Sequence, residues 1–147
     1  MIALSKKLFY AVEAVLYVAY NAGGAPISGR DIAKQQGLPP RYLEQLLQKL
    51  VRGQILRGVR GPHGGYVLAR EKRRISVGDI CEVLADSKDD ESFDSTALGN
   101  KIVLPVWSAA QQHLLTHLKE KNLAELCEEA QSKQIQKATQ DHMNFTI

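Results

Sequence analysis

Pro39-Pro40-Arg41-Tyr42-Leu43-Glu44-Gln45-Leu46-Leu47-Gln48-Lys49-Leu50-Val51-Arg52 runs directly into Gly53-Gln54-Ile55-Leu56-Arg57-Gly58-Val59-Arg60-Gly61-Pro62-His63-Gly64-Gly65-Tyr66. The first half places Leu43, Leu46, Leu47 and Leu50 at i, i+3, i+4 and i+7, the apolar stripe of a helix that faces a core. Pro39 and Pro40 suit its first turn, where a missing N–H has no intrahelical partner to lose. At about 100° per residue the opposite face holds Arg41, Gln45, Gln48 and Arg52, flanked by Glu44 and Lys49. These are long side chains with the donors and acceptors that read base edges in a major groove. Taken alone, such a face is more simply a solvated surface.

The second half changes that reading. Ile55, Leu56 and Val59 have strand character, Gly61-Pro62-His63-Gly64-Gly65 is a turn, and Tyr66, Val67 and Leu68 return as the partner strand. Arg57, Arg60, Arg70, Lys72, Arg73 and Arg74 decorate this hairpin and its exit. From Arg30 to Arg74 there are 11 basic and 3 acidic residues. Such a patch neutralises phosphates and steers association with DNA. A basic hairpin tip can also set an arginine into a narrow minor groove.

Working outward, Ser28 opens a short helix with Asp31 three residues on, in the manner of a capping box, and Gly37 closes it. Ahead of it, Leu8, Val12, Val15, Leu16 and Ala19 predict a first helix over roughly 4–22, stopped by Gly23 and Gly24. Downstream, Ser76 and Asp79 open a helix lined by Val77, Ile80, Val83 and Leu84. A polar loop follows from Asp86 to Asn100. Its Asp89, Asp90, Glu91 and Asp94 lack EF-hand spacing, so a solvated loop is expected. From about Val103 to Lys121, Leu104, Trp107, Gln111, Leu114 and Leu118 form one helical stripe, with Leu115 at its edge. Asn122 then caps a last short helix containing Leu123, Leu126 and Cys127, and a polar tail begins near Ser132.

The predicted fold is mainly α with a small β-hairpin wing: a winged helix-turn-helix domain over 1–86, a loop over 87–101, dimerisation helices over 102–131 and a tail over 132–147. A chain of 147 residues can bury a core without disulfide staples. Residues 1–86 hold 13 Lys plus Arg against 7 Asp plus Glu, while 87–147 hold 6 against 9. A basic half joined to an acidic half implies a polyanion-binding end and a different task at the other. No apolar run approaches the roughly 20 residues of a membrane span. Glu13 breaks the stretch after Lys6 and Lys7, which argues against a signal peptide. Two cysteines, Cys81 and Cys127, make no disulfide framework, so a reduced, cytoplasmic setting is expected.

These motifs carry a family resemblance. Tyr42-Leu43-Glu44-Gln45-Leu46, Val59-Arg60-Gly61-Pro62 with Gly64-Gly65-Tyr66, and Ile75 to Asp86 with its Asp79-Ile80 and Val83-Leu84 resemble the winged helix-turn-helix transcription regulators that include the iron–sulfur regulator IscR, the nitric oxide sensor NsrR and the cysteine-metabolism repressor CymR. The resemblance covers 1–86 and about 100–130. It implies that Arg41, Glu44 and Gln45 face bases and that Arg60 sits in the wing and enters the minor groove. Ser28, Tyr42, Gln48, Lys49, Arg52, Gly61 and His63 complete the expected DNA-binding set, with His63 standing where the family usually has glycine. It also implies that the long helix crosses a two-fold mate, so the expected partners are double-stranded DNA and a second copy. In the resembling sensors three cysteines before the long helix bind an iron–sulfur cluster. This chain has none between Asp86 and Trp107, and Lys101 stands about where the last would fall, so no cofactor is expected. The signal is left open: a small ligand, a partner enzyme, a cysteine or no signal at all.

The expected function is a dimeric, sequence-specific repressor on a pseudo-palindromic operator. The alternative is a winged-helix protein-interaction module whose basic face meets an acidic partner. An enzyme is disfavoured, because the chain offers no nucleophile–base pair and no phosphate-binding glycine loop. His113 and His117 share a helix face but lack the rest of an H-E-x-x-H site, and a plain exposed pair is expected there.

Overall fold

The structure is a computed structural model that describes residues 4–85 and 96–138. The acidic loop residues Asp89 to Asp94 and the last part of the tail lie outside the described residues. Six α-helices and one hairpin follow in order: α1 (Lys6–Tyr20), α2 (Gly29–Gln36), α3 (Pro40–Arg52), β1 (Leu56–Val59), β2 (Gly65–Leu68), α4 (Val77–Leu84), α5 (Leu104–Lys119) and α6 (Leu123–Ser132). A 3-10 turn at Lys72–Arg74 links β2 to α4, and a π-helical turn at Gly99–Val103 leads into α5.

The core forms where α1, α3 and α4 meet. Ala11, Ala14, Val15, Val18 and Ala19 of α1 are buried, and their small size lets neighbouring helices approach closely. Leu43, Leu46, Leu47 and Leu50 of α3 are all buried, as the stripe predicted. Each such leucine contributes about 1.5–3 kcal/mol relative to exposure. Ile75, Ile80, Cys81, Leu84 and Leu123 extend the same core.

Helix starts follow the sequence signals. The Ser28 hydroxyl accepts from the Asp31 N–H at 3.1 Å. Ser76 and Asp79 form a reciprocal capping box, each contact at 3.0 Å. Asn122 accepts from the Glu125 N–H at 3.0 Å to start α6. One helix end differs from expectation. α1 stops at Tyr20 rather than at the glycines, with buried Asn21 as its cap donating through its side chain to the Tyr17 carbonyl at 2.9 Å. At the end of α3 the left-handed residue is Gln54, at φ 60°, and the Ile55 N–H reaches the Leu50 carbonyl at 3.0 Å. Gly53 serves close packing instead: a Cβ there would lie 2.4 Å from Val83 Cγ1 of α4.

α5 is rooted at its C-terminal end. The Val77 N–H donates to the Lys121 carbonyl at 2.8 Å and the Leu123 N–H to the Ile75 carbonyl at 2.9 Å, tying the starts of α4 and α6 together. A Cβ on Gly78 would meet Lys119 Cγ at 2.4 Å, so α4 lies directly against this root.

Candidate nucleic-acid interface

α2 and α3 pack as the helix-turn-helix pair, with Gly37 in the left-handed conformation (φ 65°) that the connecting turn requires. With its leucines facing the core, α3 turns its other face outward. Arg41, Gln45, Gln48 and Arg52 are exposed together along it, joined by Tyr42 and Glu44. Lys49 is half-buried and already interacts with a neighbour, so it stands apart from that set.

The wing is an antiparallel pair in the register Leu56↔Leu68, Arg57↔Val67, Gly58↔Tyr66 and Val59↔Gly65. Its tip runs from Arg60 to Gly64, and Arg60, Gly61 and His63 are exposed. Gly61 takes φ 118°, a conformation that side chains other than glycine rarely adopt. Gly64 is required by space: a Cβ there would lie 2.2 Å from the Val59 carbonyl oxygen.

A third strand-like contact fixes the wing relative to the helix-turn-helix pair. The Ile27 N–H donates to the Tyr66 carbonyl at 3.0 Å, and the Tyr66 N–H donates to the Ile27 carbonyl at 2.7 Å. Gly65 permits this approach, since its Cβ would lie 2.3 Å from the Ile27 carbonyl oxygen. The Tyr66 ring lies over Gly29, in the first turn of α2, at 3.4 Å from the position of an added Cβ, and Leu47 of α3 is at 3.5 Å. Burial, and then the Glu44 carboxylate, push the Tyr66 hydroxyl pKa up. Tyr66 therefore joins wing, α2 and α3 in one place. In the sequence Tyr66 reads only as a strand residue, because its partners at 27 and 29 lie far away along the chain. Ser28 sits beside this junction. Its oxygen caps α2 while its O–H remains able to donate.

The apolar stripe of α5 divides in two. Leu104 and Trp107 are exposed, at 37% and 52%. Gln111, Leu114 and Leu118 are half-buried, and Leu118 packs against the chain's own core. The exposed apolar set is also wider than the stripe and includes Leu98, Ile102, Val103 and Val106. Ile102 and Val103 lie in the π-helical turn, off the α-helical period of the stripe. An apolar groove at the start of α1 is lined by Leu4, Leu8, Phe9, Val12, Cys81 and Leu118.

A helix-turn-helix pair, a basic wing locked to it and an outward polar face on its second helix define a winged helix-turn-helix protein of the DNA-binding transcription-regulator class. The chain matches, over residues 4–129, the Rrf2 family, described as "Iron-dependent Transcriptional regulator", and belongs to that family. It is 39% identical over 98 residues to the HTH-type transcriptional regulator IscR of Cronobacter sakazakii and of Escherichia coli. That match covers 67% of this chain and 57% of those relatives, so the chain spans little more than half their length in it. Among solved structures it is similar to T. potens IscR, with a TM-score of 0.74 and 35% identity over 94% of this chain and 95% of that one. It is also similar to CymR, the global cysteine regulator of B. subtilis, with a TM-score of 0.69 and 28% identity over 88% and 98%. It is thus a regulator by family and not an enzyme.

The iron dependence in the family description finds no matching donor set among the described residues. The chain's two cysteines lie on different helices, α4 and α6, and both are buried. Burial pushes both thiols up in pKa, away from the thiolate that holds iron. Among the described residues no group of three or more His, Cys, Asp or Glu is placed to hold a metal, and His113 and His117 are both exposed. No helix among the described residues is long and apolar enough to cross a membrane.

Proposed function

We propose that the chain is a cytoplasmic, dimeric, sequence-specific repressor that reads an inverted repeat without an iron–sulfur cluster. The organisation proposed is a reading domain over 1–86, a loop over 87–101, pairing helices over 102–131 and a tail over 132–147. The observation that carries the reading is the joint exposure of Arg41, Gln45, Gln48 and Arg52 on α3 beside a wing held at Tyr66. In this account α3 enters the major groove, where Arg41, Tyr42, Glu44, Gln45, Gln48 and Arg52 meet base edges and backbone. Arg60 enters the minor groove, with Gly61 and His63 at its entrance, and Ser28 and Lys49 lie towards phosphate.

Pairing is supported by the unpartnered apolar surface of α5. Six large apolar side chains from Leu98 to Trp107 are exposed on one short stretch. A contiguous surface of this kind marks an interface. A second copy is the occupant proposed, because two-fold pairing gives two reading heads and hence two half-sites.

Selection from random duplex DNA at two salt concentrations, with the mass of the bound complex recorded, tests this. The expected result is an inverted repeat bound by two copies, with affinity falling steeply as salt rises. Binding without sequence preference, or by one copy, contradicts it.

A further inference from the structure

A second cavity lies away from the reading face. It has a volume of about 730 Å³ and is walled by the end of α1, the 3-10 turn after β2, α6 and the segment that follows α6. This is in the size range of small-molecule sites. Leu68, Ala124 and Cys127 supply apolar surface, and the Tyr20 ring stands at one side. Four cations line it: Arg70, Lys72, Arg73 and Lys137. Two acids, Glu71 and Glu128, also line it, leaving an excess of two positive charges. Arg70, Lys72 and Arg73 form no ion pair among the described residues. Lys72 and Lys137 both act on the Cys127 thiol by charge.

The far wall is a strap. After α6 the chain returns across the end of α1, where the Tyr20 hydroxyl donates to the Ile135 carbonyl. The Ala138 N–H donates to Asn21 Oδ1 at 2.6 Å, and Lys137 Nζ lies 5.2 Å from the Tyr20 ring centroid. Asn21 is 2% exposed and is itself bonded to α1, so the strap is anchored at the joint between α1 and the helix-turn-helix pair. The opposite wall continues directly from β2, the inner strand of the wing.

We infer that this cavity is a binding site for a small organic carboxylate, its acid group held by Lys72, Arg73 and Lys137 and its apolar body laid against Leu68, Ala124 and the Tyr20 ring. The excess of cations selects an anion, and the apolar floor selects one with a hydrocarbon body over a bare inorganic ion. Such a ligand bridges the strap and the exit of the wing. This deepens the regulator reading by naming the class of its signal, and it rests on that reading only for its consequence on DNA.

The test uses 1-naphthoate as probe, followed by ¹H–¹⁵N chemical shifts of the full chain without DNA. Saturable shifts confined to residues 68–73, 124–131 and 137 are expected. The Lys72→Ala/Arg73→Ala double variant should weaken binding at least about tenfold, since a hydrogen bond to a charged group carries about that much. Neutral 1-naphthalenemethanol should bind much more weakly than the acid. Non-saturable shifts, shifts in the α1 groove, unchanged binding in the double variant, or inorganic phosphate matching the acid would each overturn the site. Because this assay contains no DNA, its failure leaves the regulator reading standing. Where an operator is in hand, saturating 1-naphthoate should change operator affinity in the parent and not in the double variant. Binding in the cavity with no change in operator affinity would overturn the regulatory link.

Discussion

Single residues set two measurable properties. Gln54 occupies a left-handed backbone position usually given to glycine, because the neighbouring Gly53 is needed where α3 touches Val83. Non-glycine residues in that conformation store about 1–3 kcal/mol of strain, part of which glycine returns as lost chain entropy. Gln54→Gly should therefore stabilise the fold by about 0.5–1 kcal/mol in denaturant titration. The second property is pH dependence. Burial raises the pKa of Cys81 above its ordinary 9.0, and burial, the leading cause, likewise raises Cys127 and Tyr66. The folded state then holds these protons more tightly than the unfolded state. Their contribution is intact below the ordinary thiol value and is lost as pH rises through the higher folded values. Thermal melts should be level from neutral pH to about 8.5 and decline above it, more shallowly in a Cys81→Ala/Cys127→Ala variant.

At the scale of elements, the wing is a lever whose pivot is Tyr66. Two backbone bonds to Ile27 and a ring over Gly29 hold the hairpin at one angle to α3. Tyr66→Ala removes the ring and should cost about 2–4 kcal/mol of stability, as aromatic truncations in partly buried sites do. It should also lower operator affinity more than Arg57→Ala, because every wing contact moves with the pivot. Equal losses in the two variants, measured by fluorescence anisotropy, would remove Tyr66 from that role. Local signals predicted the elements themselves. The leucine stripe of α3, the caps at Ser28, Ser76 and Asn122, and the left-handed Gly37 are each decided within a few residues, and each appears as expected. The Ile27–Tyr66 bridge, the Gly53–Val83 contact and the strap from Ile135 to Ala138 join residues distant in sequence, and no short pattern encodes them. For the same reason the outward face of α3 was legible, since its period is local, while the position of the wing beside it was not.

On the proposed reading the molecule has two ends with different tasks. The basic reading end is built around α3, and the apolar arm of α5 extends from a root clamped by Val77, Leu123 and Gly78. Within one protomer Trp107 is half-exposed, so its truncation should leave the melting temperature of the monomeric fold nearly unchanged. Trp107→Ala should weaken self-association by about 2 kcal/mol or more, the scale of an aromatic anchor at an interface, and Val106→Asp should abolish it. Sedimentation equilibrium reads both, and an undiminished dimer in Val106→Asp would place the interface elsewhere.

The central claim is that the outward face of α3 reads sequence. It is tested most directly by measuring Gln45→Ala against a panel of operators, each changed at one base pair symmetrically in both half-sites. The account predicts that discrimination falls by about 1–3 kcal/mol at one pair of symmetric positions and is kept elsewhere. A uniform loss across the panel, or no change at any position, would contradict it.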